Sequence, residues 1–192
     1  SEKTKTSRPG VKQKDKNLDY RIINKENGGL ASARNVGIKK AKDAGLYVIG
    51  RITTFKDSYY VEDHKDAAIL GQNGQPFNHN GSYWPSAYNR GVWEYKVELA
   101  KEAVKEVGFN EIQFDYVRFP DGLGAREQAK TIDYSNTYGE SKAQAIQRFL
   151  MYATEELHKL HVYYINVSIL QFFKNDELLH QSFLLEYQQL CF

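Results

Sequence analysis

The sequence predicts an α/β chain. Helical and strand patterns alternate along it, the strand over 111–117 has an apolar and a charged face, and long polar loops follow the strands. Strands separated by helices of this length form a parallel sheet with right-handed crossovers. The loops after the strands then gather at the strands' C-terminal ends, where α/β sites lie.

The segment 1–29 is polar, rich in Lys, Asn and Gly, and reads as a linker or the remnant of a longer domain. From Leu30 to Ala44 the apolar positions Leu30, Ala33, Val36 or Gly37, and Ala41 suit a short amphipathic helix, ended by Gly45. A strand follows over Leu46–Thr53, a nearly continuous apolar run containing one charge, Arg51, as expected when both faces of a parallel sheet are covered. The stretch of about 54–90 is turn-rich and far longer than the usual connection of ~2–6 residues; loops of that length are functional or disordered.

A second helix is predicted over Gly91–Val107, with Val92, Trp93, Val97, Ala100, Val104 and Val107 at helical spacing and Gly108 as its end. The strand Glu111–Val117 comes next, then a polar loop to about Tyr138. A helix near 140–160 follows, with Ala143, Ile146, Phe149, Leu150, Ala153, Leu157 and Leu160 on one side. About three to four βα units are present, whereas a closed eight-unit barrel needs ~250 residues. The expected architecture is therefore a partial (β/α)8 TIM barrel.

Composition narrows the function classes. A net charge of +2 from 26 basic and 24 acidic residues creates no global field toward nucleic acid or membrane. Cys191 alone allows neither an internal disulfide nor a cysteine-based zinc site. No apolar run is long enough to span a bilayer, and the N-terminus lacks the apolar core of a signal peptide. His64, His79, His158, His161 and His180 show no metal-ligand spacing, and there is no phosphate loop or Gly-x-Ser-x-Gly elbow. Neither a metal nor a cofactor is implied. The 14 Tyr, 10 Phe and 2 Trp offer flat faces that stack on sugars as readily as they fill a core.

Within Glu111–Val117 alternation sends Ile112, Phe114 and Tyr116 one way, under the helices, and Glu111, Gln113, Asp115 and Val117 the other, toward the barrel axis. Asp115, nearest the strand's C-terminal end, is the candidate for chemistry. The same alternation groups Tyr47, Ile49 and Arg51, and brings Arg51 toward Asp115. An arginine there favours the ionised carboxylate of a nucleophile or electrostatic stabiliser; equally, the two form an ion pair that only fixes strand register. Arg118 and Phe119 should sit on the rim, since Pro120 ends the ladder. Arg118 has substrate hydroxyls, an acidic group or Asp121 as alternative partners. Tyr116 and Phe119 have sugar stacking or packing.

The segment Phe109-Asn110-Glu111-Ile112-Gln113-Phe114-Asp115-Tyr116-Val117-Arg118-Phe119-Pro120 resembles the signature of the bacterial putative glycosyl hydrolase domain family. Further matches are Gly45–Ile52 with Phe55-Lys56-Asp57, and Val92-Trp93-Glu94-Tyr95 with Ala100-Lys101-Glu102-Ala103; together they cover roughly residues 30–161. The resemblance implies a (β/α)8 barrel hydrolysing O-glycosyl bonds of a polysaccharide, in an extracellular or cell-surface protein. Carried over by position, Asp115 is the catalytic carboxylate, and Arg51, Gln113, Tyr116 and Arg118 line the site. Trp84, in Trp84-Pro85-Ser86-Ala87-Tyr88-Asn89, stands where the family often has Trp-Val-Asn-Pro.

Two departures accompany the match. The family's first strands are not recognisable before residue 30. After His161 the expected strand with an acidic end is replaced by Val162–Phe173 and a Leu- and Gln-rich tail, 162–192. Truncation or a change of reading frame near residue 162 would explain the tail, as would an ordinary divergent strand and helix. Glycoside hydrolysis needs two carboxyl groups, and Asp57 and Asp121 are the candidates for the second, each equally a cap or turn residue. The alternatives to an enzyme are a non-catalytic carbohydrate-binding or scaffold barrel, or an inactive fragment of the hydrolase.

Overall fold

A computed structural model of the chain describes residues 25–160 and the backbone of 163–165. The contacts divide the chain into two units, Ser1–Lys40 and Ala41–Phe192. Helix α1 (Gly29–Asp43) occupies most of the described part of the first and the start of the second, and buries none of its side chains; Leu30 is 67% exposed. The amphipathic stripe expected there has no buried side chain. Gly45, at φ 73°, adopts the left-handed conformation that stops a helix without a Cβ penalty.

In the second unit, strand β1 (Ile49–Thr53) is followed by an excursion in place of a plain loop. It contains α2 (Ser58–Asp63), a 3-10 turn (Lys65–Ala67), and three two-residue strands: β2 (Leu70–Gly71), β3 (Asn78–His79) and β4 (Ser82–Tyr83). Asn80 and Gly81 connect β3 to β4 with φ of 52° and 77°, the positive pair that a two-residue hairpin turn requires. Helix α3 (Arg90–Glu102) starts at the Asn89 cap, whose side chain accepts from the Val92 N–H. It continues through a π-helical turn, Ala103–Val107, to Gly108 at φ 72°. Then come β5 (Glu111–Asp115), α4 (Gly124–Gln128), β6 (Ile132–Asp133), α5 (Lys142–His158) and β7 (Tyr163–Ile165). Ser141 and Gln144 close a capping box at the start of α5.

The sheet has the order β1-β5-β7, with both pairings parallel, so β5 is central. Ile112 and Phe114 of β5 are fully buried with Val92, Val97 and Ala100 of α3 and Phe149, Leu150 and Ala153 of α5 in a single hydrophobic core. The helices thus cover one face. Gly50 of β1 admits the approach of this layer: a Cβ there would meet the Phe109 ring at 2.8 Å and Ile112 at 3.0 Å. On the opposite face Tyr47, Ile49 and Arg51 are exposed. The apolar run 46–53 is therefore covered on one side only among the described residues, and its regular strand begins at Ile49 rather than Leu46.

The excursion after β1 and the loop after β5 are joined to each other. β2 pairs antiparallel with β6, the Ser86 hydroxyl donates to the Tyr134 carbonyl at 2.5 Å, and Tyr88, Phe119 and Tyr134 form a three-ring cluster. Ile69, Trp84, Ala87 and Tyr88 of the excursion belong to the main core. The long segment 54–90 is thus structured because it supplies core side chains. Of the expected strand Val162–Phe173, the backbone of 163–165 is β7; the rest of it, and residues 1–24, lie outside the described residues.

Candidate active site

Asp115 closes the central strand at its C-terminal end. Its cross-strand neighbour is Thr53, and the pairing runs on past both strands: the Thr54 N–H donates to the Asp115 carbonyl at 2.8 Å and the Phe55 N–H to the Tyr116 carbonyl at 3.3 Å. Both carboxylate oxygens are held. Oδ2 lies 2.7 Å from Arg51 Nη2, and Oδ1 accepts the Tyr116 N–H at 2.9 Å. Among the described residues two donors and no acceptor meet it, which sets the group as an acceptor. This suits a nucleophile or a stabiliser of positive charge better than an acid.

Alternation fails at Tyr116, where φ is +54°. A left-handed residue reverses the expected facing, so Val117 is buried in the core and Tyr116 is only half-buried. The sequence-based assignment of Tyr116 to the helix side and Val117 to the charged side is thus corrected. The same turn aims the Tyr116 N–H back at Asp115.

Around this point the structure brings together four of the remaining candidates. Gln113 stands beside Arg51 in register, half-buried. Tyr116 meets Trp84 edge-on at 5.9 Å, and the Arg118 guanidinium lies over both rings, 5.3 Å from Trp84 and 5.5 Å from Tyr116. Trp84 is 4% exposed, behind the rim, and its Nε1 has no acceptor among the described residues. Lys56, 4.9 Å from the Tyr116 ring, was not singled out from the sequence beyond its place in Phe55-Lys56-Asp57. Its position just past the end of β1 was the available signal.

The two candidates for a second carboxylate are engaged elsewhere. Asp57 caps α2, accepting the Tyr60 N–H at 3.1 Å, and pairs with the fully buried Lys96 at 2.5 Å. Asp121 is 79% exposed and pairs with Arg118 at 2.6 Å. Glu111 shares the face of Asp115 but stands four residues back, about 13 Å at strand rise, where it accepts the Tyr47 hydroxyl at 3.0 Å. In the loop after β5, Glu127 bonds Lys142 and the Tyr134 hydroxyl. Burial acts to raise its pKa, but those hydrogen bonds outweigh it and hold the carboxyl below its ordinary value. Burial first, and Glu127 second, push the Tyr134 hydroxyl up. An ionised Glu127 is no general acid. Among the described residues no group of three His, Cys, Asp or Glu side chains is placed to hold a metal ion.

The family model described as a putative glycosyl hydrolase domain matches residues 10–181. The chain belongs to this family. A hypothetical protein from Ruminiclostridium thermocellum ATCC 27405 is 32% identical in sequence and similar in structure, with a TM-score of 0.57 over 73% of this chain and 74% of that one. A noncanonic maltogenic α-amylase from Thermotoga neapolitana is 16% identical, with a TM-score of 0.48 over 72% of this chain and 28% of the amylase. A comparison with curated proteins finds no match. Among the described residues no helix is long and apolar enough to cross a membrane.

Proposed function

We propose that the chain carries part of the catalytic face of a polysaccharide-cleaving glycoside hydrolase, with about three to four βα units of a (β/α)8 barrel and Asp115 as its catalytic carboxylate. One observation carries the reading: a doubly held carboxylate ends the central parallel strand, at the end of the sheet where such barrels place their chemistry. Family membership supports the reaction class. The open face bearing Tyr47, Ile49 and Arg51 suits further barrel strands.

In this reading Asp115 attacks or stabilises the oxocarbenium-like anomeric carbon, Arg51 holds its carboxylate in place, and Gln113 and Arg118 donate to sugar hydroxyls. Tyr116 sets the Asp115 rotamer through its N–H and, with Trp84, supports Arg118. The general acid comes from another strand of the barrel; its distance from Asp115, ~5 Å or ~6.5–9.5 Å, decides between retention and inversion. By the family resemblance, the full-length protein would act outside the cell or at its surface. A carbohydrate-binding barrel without catalysis is the second reading, favoured by the engagement of Asp57 and Asp121.

The test is reducing-sugar release by the full-length protein from a panel of cell-wall and capsular polysaccharides, with Asp115→Asn beside it. The expected result is cleavage by the wild type and a loss of at least ~100-fold in the variant, the scale of one catalytic group, at unchanged melting temperature. Full activity in Asp115→Asn would refute the assignment. Binding without cleavage by the wild type would select the second reading.

A further inference from the structure

The rim beside Asp115 is built from cations resting on aromatic rings, with too few carboxylates to neutralise them. Lys56 and Arg118 share the ring of Tyr116, at 4.9 and 5.5 Å from its centroid, and Arg118 also lies 5.3 Å from that of Trp84. A cation over a ring is attracted by the ring quadrupole yet keeps its N–H donors for other partners. These aromatics therefore hold cations in place, and Trp84, only 4% exposed, has no face free for a sugar.

The charges on this rim do not cancel. Arg51 is matched by Asp115 and Arg118 by Asp121, while Lys56 has no ion pair among the described residues. Asp57, next in sequence, is committed to Lys96. Arg51 also retains 65% side-chain exposure while bound to Asp115, and Asp121 is 79% exposed, so a competing anion could displace it from Arg118 with little desolvation. A neutral glycan leaves this surplus of positive charge unmatched. An anionic one complements it.

We infer that the site selects polysaccharides bearing an anionic substituent, a carboxylate or a sulfate ester, with Lys56 as its specificity-determining cation and Arg118 beside it. The inference rests on the proposed site at Asp115, but predicts binding preference rather than cleavage.

Affinity electrophoresis of the full-length protein in gels containing matched polysaccharides separates the two. The pairs are polygalacturonate against its carboxyl-reduced form, and dextran sulfate against dextran; they distinguish carboxylate from sulfate as the source of the charge. Retardation by at least one charged member is expected to exceed that by its neutral partner about tenfold in apparent Kd, the scale of one charge-assisted contact. Lys56→Met should abolish the preference, and Lys56→Arg should keep it. Lys105→Met, a control that removes an exposed cation from the π-helical turn, should leave it unchanged. Equal retardation of charged and neutral members, no retardation by any charged member, or a preference unchanged in Lys56→Met would overturn the inference. Reducing-sugar release on the same panel keeps the two claims apart. Cleavage confined to neutral members would sink the anion preference alone, and a Lys56-dependent preference without cleavage would sink the hydrolase alone.

Discussion

Asp57 provides the sharpest test of how structural and catalytic carboxylates divide at this end of the sheet. Its side chain does two structural jobs, capping α2 and neutralising Lys96, whose side chain is 1% exposed. Asp57→Asn keeps the cap, because Asn serves at this position about as well as Asp. The variant leaves the Lys96 ammonium buried without a counter-ion. Removing one partner of a buried pair costs ~3–5 kcal/mol, and the 20% exposure of the Asp57 side chain places the expectation near the lower end, about 3 kcal/mol. Lys96→Met removes the stranded charge at similar volume, so the double variant should recover to within about 1 kcal/mol of wild type. Urea denaturation at constant m-value reads all of these directly. A cost below about 1 kcal/mol for Asp57→Asn, or a double variant no more stable than the single, would refute the structural assignment. Recovered stability with lost hydrolysis would return Asp57 to the catalytic pair.

Three further outcomes follow from the core and the surface. Phe149, fully buried and within 5.1–5.8 Å of the rings of Phe55, Phe114 and Trp93, should cost about 4 kcal/mol when cut to Ala, measured by chemical denaturation. Gly50→Ala drives a Cβ to within 2.8 Å of the Phe109 ring and should cost about 1–3 kcal/mol; a neutral result in the same assay would mean that Phe109 moves aside freely. Glu156, hydrogen-bonded first by Lys101 and then by Lys159, has its pKa lowered to about 2 in the folded chain. A depressed carboxylate contributes stability above its unfolded value of about 4.3, and that contribution is lost as pH falls toward 2. Melting temperatures from pH 5 to pH 2 should therefore drop less steeply in Glu156→Gln.

What the sequence disclosed tracks what periodicity can encode. The helical spacing of Ile146, Phe149, Leu150, Ala153 and Leu157 foretold the buried side of α5, and the alternation of Ile112 with Phe114 foretold the helix-facing side of β5. Ala143, expected on the same side as Ile146, is only half-buried, because it lies in the first turn of α5 beside the capping box. Segment 54–90 read as a long loop because its strands are two residues each, too short for a period, although Asn80-Gly81 carried a hairpin signal. Arg51 and Asp115 could be brought together on paper because parallel alternation puts them on one face. Lys56 and Lys96 could not, since their partners depend on how the excursion folds back over the strand ends.

The left-handed residue at 116 is where fold and proposed chemistry constrain each other. A regular strand would have buried the Tyr116 ring and exposed Val117; the reversal costs about 1–2 kcal/mol of backbone energy in a non-glycine residue. Against that cost stand the burial of Val117, 1% exposed and worth ~1.5–3 kcal/mol for a fully buried Val, and the hydrogen bond from the Tyr116 N–H to Asp115. The burial of Val117 and the bond to Asp115 thus act together against the strain, with the Tyr116 ring left half-buried. The same residue then presents a ring on which Lys56 and Arg118 rest, so one backbone angle positions both the acceptor proposed for catalysis and the cations proposed for selection.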